Sequence, residues 1–76
     1  MEFPKDLYDP KTLDLMQWAF DTAWEEVEYA LAGGKIDPTG LRTIMSVRIM
    51  AAVRDGELDP ERLKELAIEV TAKGYA

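Results

Sequence analysis

A short phrase that occurs three times constrains the fold of this chain more than any other feature of its sequence. It reads apolar residue, Asp, Pro, two variable residues, Leu, and it occupies 8–13, 36–41 and 58–63. An Asp at an N-cap accepts hydrogen bonds from the open N–H groups of a first helical turn. A Pro directly after it loses no hydrogen bond, and its φ angle already suits a helix. The phrase therefore predicts three helix starts, capped by Asp9, Asp37 and Asp59.

Glycines mark where each of these helices is expected to end. A Gly readily adopts the left-handed backbone conformation that commonly closes a helix. Gly33–Gly34, Gly56 and Gly74 stand at suitable places. We therefore expect an all-α fold, a three-helix bundle that forms a single domain over residues 1–76. After an extended segment at 1–8, the expected helices cover about 10–32, 38–55 and 60–73.

The length of the chain limits how much apolar surface it can bury. A chain of 76 residues hides only roughly 60% of the surface that it exposes when unfolded. Small domains commonly add a disulfide, a metal or a second subunit. The sequence has no Cys and no His, which removes disulfides and the commonest metal ligands. Oligomerisation is the remaining means of stabilisation, and we expect a homo-oligomer, a dimer before any other.

The first predicted helix has two apolar faces. One face carries apolar side chains at steps of three and four, as expected for a helix that packs on a core. The other face carries Leu15, Trp18 and Tyr29. Two interpretations are open. Either the leading segment, with Phe3 and Leu7, folds back over this second face, or the face contacts another chain, as aromatic residues often do.

The second predicted helix is apolar almost all round. Such a helix is usually covered on several sides, and two neighbouring helices can cover only part of it. Methionines suit an adaptable contact surface, although at least one of Met45 and Met50 is expected to fill the core. With the second face of the first helix, the predicted interface comprises Leu15, Trp18, Tyr29, Met45, Ile49, Met50 and Val53.

Arg48 falls between the apolar positions of the second helix. A guanidinium that is buried there has to be paired, because an isolated charge in a low dielectric is costly. The first helix offers Asp21, Glu25 and Glu28 in one row, which predicts a buried ion pair between Arg48 and one of them. A divalent cation site is the rival interpretation of this row. Three carboxylates on a straight helix diverge too much to form such a site alone, so no metal is expected.

The charge of the chain limits its partners. A net charge of −6 repels phosphate backbones, so no nucleic acid is expected. No apolar run approaches the ~20 residues of a bilayer span, so no membrane is expected, and the lack of Cys and of an export signal favours the cytoplasm. Eight acids and two bases give 1–32 a net charge of −6, whereas four bases and two acids give 35–55 a net charge of +2. Attraction within the fold is the simplest interpretation.

The sequence shows no pattern that indicates catalysis. Ser46 has no His to act as its base, and a Ser within a helix more often donates to a carbonyl of the preceding turn. Gly33–Gly34 lacks the sequence context of a phosphate-binding loop. We therefore expect no enzymatic activity and no cofactor.

Two stretches resemble a group of short helical bacterial proteins, found notably in alphaproteobacteria. The first is Phe20-Asp21-Thr22-Ala23-Trp24, and the second, after the arginine-bearing helix, is Gly56-Glu57-Leu58-Asp59-Pro60-Glu61-Arg62-Leu63. They match the pattern F-D-x-A-W followed by A-x-x-x-G-x-x-D-P-x-x-L, and the resemblance covers most of residues 7–72. It implies a bacterial origin and a helical fold, and it carries over no activity.

The sequence favours a non-enzymatic helical interaction module over other functions. It would self-associate or dock on a protein partner through the apolar faces of the first two helices. A small-ligand or metal-binding domain is one alternative. The other is an acidic decoy or inhibitor that engages a basic protein surface through Asp14, Asp21, Glu25, Glu26 and Glu28.

Overall fold

Helices α1 (Pro10–Leu31), α2 (Pro38–Arg54) and α3 (Pro60–Gly74) make up the regular secondary structure of residues 3–31 and 37–74, the part of the chain that this computed structural model describes. The predicted all-α three-helix bundle is confirmed for these residues. The predicted stop at Gly33–Gly34, with Ala32 before it, lies outside them. None of α1, α2 and α3 is both long enough and apolar enough to span a lipid bilayer.

Each of α1, α2 and α3 begins at the repeated phrase. The carboxylate of Asp9 accepts a hydrogen bond from the Thr12 N–H at 2.7 Å. Asp37 and Asp59 accept theirs from the N–H two residues further on, at 3.1 and 3.0 Å. The backbone carbonyl of each Asp also accepts from the Leu four residues later, at 2.9 to 3.1 Å. All three Asp residues therefore occupy the N-cap, and the Pro that follows each of them starts the helix.

The end of α2 is closed by a Schellman motif at Gly56. This glycine has a φ angle of +98°, which L side chains rarely adopt. The Glu57 N–H donates to the Ala52 carbonyl at 3.0 Å, and the Gly56 N–H donates to the Val53 carbonyl at 2.9 Å. These bonds satisfy carbonyls that a helix end would otherwise leave open. The chain can therefore turn into α3 within a few residues.

The core lies where the three helices meet. α3 packs against both α1 and α2 more extensively than these two pack against each other. As a result, α2 is covered on the side of its core stripe and has a broad outer side. The core side chains with no exposed surface are Met16, Ala19, Phe20 and Ala23 of α1, Leu41, Met45 and Ile49 of α2, and Leu63 and Ala67 of α3.

Residues 3–9 turn back onto the bundle, which corrects the expectation of an extended segment at 1–8. The Leu7 N–H lies 3.5 Å from the Pro4 carbonyl oxygen, which marks a turn. Phe3 is only 3% exposed, and its ring meets that of Phe20 edge to face, with the centroids 6.1 Å apart. The segment therefore completes the core through Phe3, while Trp18 and Tyr29 on the second face of α1 keep exposed surface.

Candidate functional site

The residues predicted to form an interface fall into two groups in the structure. Met45 and Ile49 have no exposed surface and belong to the core of the chain itself, so the expectation that they face another chain is wrong. They share one stripe of α2 with Leu41 and Ala52, and the bundle covers that stripe. The other predicted residues keep exposed surface: Trp18 is 43% exposed and Tyr29 88%, and Leu15, Met50 and Val53 are half-buried.

Val47 is an exposed apolar residue of α2 that the interface prediction missed. Its side chain is 54% exposed, because it lies two residues after Met45 and therefore points to roughly the opposite side of the helix. Leu7 and Leu58, which lie outside the helices, are also largely exposed. A helical wheel places Val47 outside the core only once Leu41 and Met45 are known to lie in it, so the sequence alone carries no signal for the exposure of Val47.

An open groove of about 660 Å³ lies between the start of the chain and α2. Leu7 and Tyr8 line it on one side, and the second half of α2 and the following loop line it on the other. Asp9 and Arg54 are the charged residues along it. The apolar lining from α2 and the loop consists of Val47, Met50, Ala51, Val53 and Leu58.

A second groove, of about 320 Å³, adjoins α2 and α3. Ile44 and Val70 line it together with Val47 and Ala51, so that the latter two residues belong to both grooves. Val47 and Ala51 thus form a ridge with an apolar groove on either side. We call this ridge and its flanks the α2 outer surface, which comprises Ile44, Val47, Arg48, Met50, Ala51, Val53 and Arg54.

Two arginines flank the apolar part of the α2 outer surface. Arg54 lines the first groove and Arg48 lines the second. The segment Pro38–Arg54 contains no Asp and no Glu. Within residues 3–31 and 37–74, neither Arg48 nor Arg54 is paired with a carboxylate. Asp9 lines the first groove with Arg54, and Asp55 and Glu57 line an opening with Arg48, but none of these carboxylates forms an ion pair with either arginine.

The predicted buried ion pair between Arg48 and α1 does not form. Arg48 is half-buried and lines an opening of about 390 Å³ beside the loop before α3, together with Asp55, Glu57 and Arg62. The acids expected to pair with it, Asp21, Glu25 and Glu28, are exposed on α1. Their spacing places them on the side of α1 away from the core, and the described residues contain no cluster of acidic side chains that could hold a metal ion.

Arg42 is the arginine of α2 that contacts the aromatic side chains of α1. Its guanidinium carbon lies 4.8 Å from the ring centroid of Trp24 and 5.0 Å from that of Phe20. The two rings are stacked, with centroids 6.4 Å apart and planes inclined by 7°. A cation over aromatic faces is attracted by the negative charge of those faces. The spacing of four residues between Phe20 and Trp24 is a sequence signal for the stacking of these two rings, but it does not identify Arg42 as the cation that contacts them.

The outer face of α1 carries acidic residues on both sides of an exposed indole. Asp14, Trp18, Asp21, Glu25 and Glu28 follow one another at steps of four and three residues, and all five are exposed. We call them the acidic stripe. The whole helix has five acidic residues against one lysine, a net charge of −4. Asp21 also accepts a hydrogen bond from the side-chain amide of Gln17 at 2.9 Å.

Ser46, Asp9 and Lys64 make local contacts within or at the start of the helices. Ser46 Oγ donates to the Thr43 carbonyl at 3.0 Å, as expected for a Ser inside a helix. The hydrogen bond from the Thr12 N–H, and then that from its hydroxyl, hold the pKa of Asp9 below its usual 3.8, and the charge of Lys11 acts in the same direction. The Glu61 carboxylate raises the pKa of Lys64 through a 3.2 Å contact. None of these groups forms a nucleophile–base pair.

No known protein family matches the chain, and no curated protein or solved structure is significantly similar to it. The resemblance to short bacterial helical proteins therefore stays a prediction. The α2 outer surface and the acidic stripe are the two surface features of the described residues that suit a binding partner.

Proposed function

We propose that this protein is a non-enzymatic interaction module that docks on a helix of another protein chain through the α2 outer surface. One observation carries the proposal: an apolar ridge between two apolar grooves is flanked by Arg48 and Arg54, which have no carboxylate partner among the described residues. An apolar centre with a charged rim is the usual composition of a protein interface. A cytoplasmic location, expected from the sequence, belongs to the same proposal.

The shape of the α2 outer surface is suited to packing against a helix of the partner. Helices pack by placing the side-chain ridges of one into the grooves of the other, and the ridge of Val47 and Ala51 between two grooves offers this shape. A small-molecule site would instead enclose most of its ligand, and both grooves are open along their length. The shape thus supports a protein partner over a small ligand.

The charges of the surface define the chemistry of the partner. A helix that docks there needs a large apolar or aromatic side chain to fill a groove, with carboxylates on either side of it to reach Arg48 and Arg54. Such charges at the rim steer association and set its register more than they add affinity. The proposed partner is therefore an acidic helix with an exposed aromatic residue.

The acidic stripe supports a second candidate function, an acidic decoy that covers a basic protein surface. The two functions differ in what drives binding. Binding by exposed charges weakens steeply as salt screens them, whereas binding through an apolar centre changes little. The decoy function would be favoured if the affinity for the partner falls steeply between low and high salt and if Val47→Asp leaves that affinity unchanged.

Photo-crosslinking tests the docking surface even when the partner has not been identified. A photoreactive amino acid replaces Val47 in cells that produce the protein, and mass spectrometry identifies the cross-linked chains. The matched control places the same amino acid at Glu61, an exposed position at the start of α3. We expect a discrete cross-linked protein chain from position 47 and none from position 61. Equal labelling at both positions, or none at position 47, would overturn the proposal.

A further inference from the structure

We infer that the partner is a second copy of this chain, whose acidic stripe on α1 docks on the α2 outer surface. This inference rests on the proposed function and names its occupant. The partner chemistry that the α2 outer surface requires is an exposed aromatic side chain between carboxylates on a helix. The acidic stripe has that composition, because Trp18 is 43% exposed and has Asp14 and Asp21 on either side of it.

The charges of the two surfaces are complementary and are not neutralised within one protomer. α1 has a net charge of −4, and α2 has three arginines and no acidic residue. Within residues 3–31 and 37–74, none of the acids of the stripe forms an ion pair, and neither do Arg48 and Arg54. The charges of the acidic stripe and of Arg48 and Arg54 therefore do not pair with each other within one protomer. They can pair between two copies.

The spacing of the charges along the two helix axes is similar. Asp14 and Asp21 are seven residues apart, which is roughly 10 Å along a helix, and Arg48 and Arg54 are six residues apart, or roughly 9 Å, although the two arginines lie about 120° apart around α2. In the sequence, Trp18 lies between the two aspartates, and Ala51 lies between the two arginines. The small side chain of Ala51 is part of both grooves. It leaves space for an indole that is centred between the paired charges.

Each copy carries both surfaces, so one contact can be repeated in the opposite direction. The acidic stripe of the first copy docks on the α2 outer surface of the second, and the acidic stripe of the second copy docks on the α2 outer surface of the first. A two-fold axis relates these two contacts. Both contacts form in the same closed dimer. Such closure leaves no stripe and no α2 outer surface unoccupied, and it therefore stops growth at two copies.

Charge reversal with mixing tests this arrangement. One variant carries Arg48→Glu with Arg54→Glu, and the other carries Asp14→Arg with Asp21→Arg. The mass in solution is measured by light scattering, with 8.6 kDa for one copy. We expect the wild type to be a dimer and each variant alone to be a monomer with its helical circular dichroism retained. An equimolar mixture should again have the dimer mass, because both contacts then join opposite charges.

A substitution pair that alters no charge provides an independent measurement. Trp18→Ala should weaken dimerisation at least tenfold, since an aromatic residue at an interface centre commonly has such an effect. Thr39→Ala is the uncharged control, because Thr39 is exposed at the start of α2 and belongs neither to the acidic stripe nor to the α2 outer surface. It should change dimerisation less than threefold, as expected for a residue outside the interface centre. Equal effects of the two substitutions would contradict the inference.

The experiments separate failure of this inference from failure of the proposed function. A wild type that stays at the monomer mass when concentrated, together with a cross-link from Val47 to a different protein, overturns self-docking and supports the docking module. A wild-type dimer whose two charge-reversed variants do not combine on mixing overturns the stripe-to-surface arrangement. Absence of any cross-link from Val47 overturns the proposed function and this inference together.

Discussion

The rings of Phe3 and Phe20 meet edge to face, with their centroids 6.1 Å apart and their planes inclined by 88°. In this arrangement the positive edge of one ring lies against the negative face of the other. Phe20 has no exposed surface, and Phe3 is almost as deeply buried. The turn at residues 3–9 therefore contributes a core side chain, although it precedes the first helix.

Replacement of Phe3 by Ala should destabilise the whole domain. The loss of a buried ring costs its burial energy and leaves a cavity against Phe20, so we expect the free energy of unfolding to fall by roughly 3 kcal/mol. Urea denaturation at low protein concentration measures it. Leu7→Ala is the control, because Leu7 lies on the same segment but is 71% exposed, and it should change stability by less than about 0.5 kcal/mol. Similar losses for both would contradict the packing of Phe3.

Removal of the Arg42 charge should weaken the contact between α1 and α2. Arg42→Met keeps an unbranched side chain over Phe20 and Trp24 but loses the attraction of the cation to the rings, which is worth about 1 kcal/mol. Arg54→Met is the matched control, since Arg54 belongs to the same helix and is exposed. Chemical denaturation of dilute protein should show a lower free energy of unfolding for Arg42→Met and an unchanged one for Arg54→Met. An unchanged Arg42→Met protein would show that the cation contributes nothing.

The helix starts can be predicted from the sequence because the physics there is local. Asp9, Asp37 and Asp59 each bond to an N–H within three residues, so the short phrase contains the whole interaction. The end of α2 at Gly56 is local in the same way, since its closing bonds span at most five residues. These boundaries therefore do not depend on where the other helices lie.

The faces of α2 cannot be assigned from the sequence because they depend on which side α3 covers. An almost uniformly apolar helix has no periodic pattern that distinguishes its core stripe from its outer side. The predicted interface therefore wrongly includes Met45 and omits Val47, and the predicted ion pair wrongly directs Arg48 towards α1. The first groove depends in addition on the turn at residues 3–9, which the helical pattern does not specify. Trp18 and Tyr29 are correctly predicted to lie off the core because α1 has a clear core stripe.

Substitution of Gly56 should reveal the strain of its backbone conformation. A Cβ at this position would meet no atom of the described residues within 4 Å, so the cost of Gly56→Ala comes from the φ angle of +98° and should be about 1 kcal/mol. Gly56→Asn is the informative comparison, because Asn tolerates the left-handed region better than Ala does. Thermal unfolding should rank the wild type above the Asn variant and the Asn variant above the Ala variant. A stabilised Ala variant would rule out the Schellman closure.

The N-cap of α1 should make stability depend on pH in the acid range. Hydrogen bonds from Thr12 favour the ionised form of Asp9 and lower its pKa below 3.8. A carboxylate whose pKa is lower in the folded state stabilises the fold fully above its unfolded pKa. That contribution is lost as the pH falls through the folded pKa.

Asp9→Asn tests this pH dependence, because Asn caps a helix about as well as Asp does but does not titrate. We expect the melting temperature of the wild type to fall relative to that of the Asn variant as the pH is lowered from about 6 to about 2.5. Both proteins share every other carboxylate, so their difference isolates Asp9. Melting curves recorded side by side across this range provide the measurement. A difference that stays constant with pH would mean that the Thr12 hydrogen bonds do not favour the charged form of Asp9.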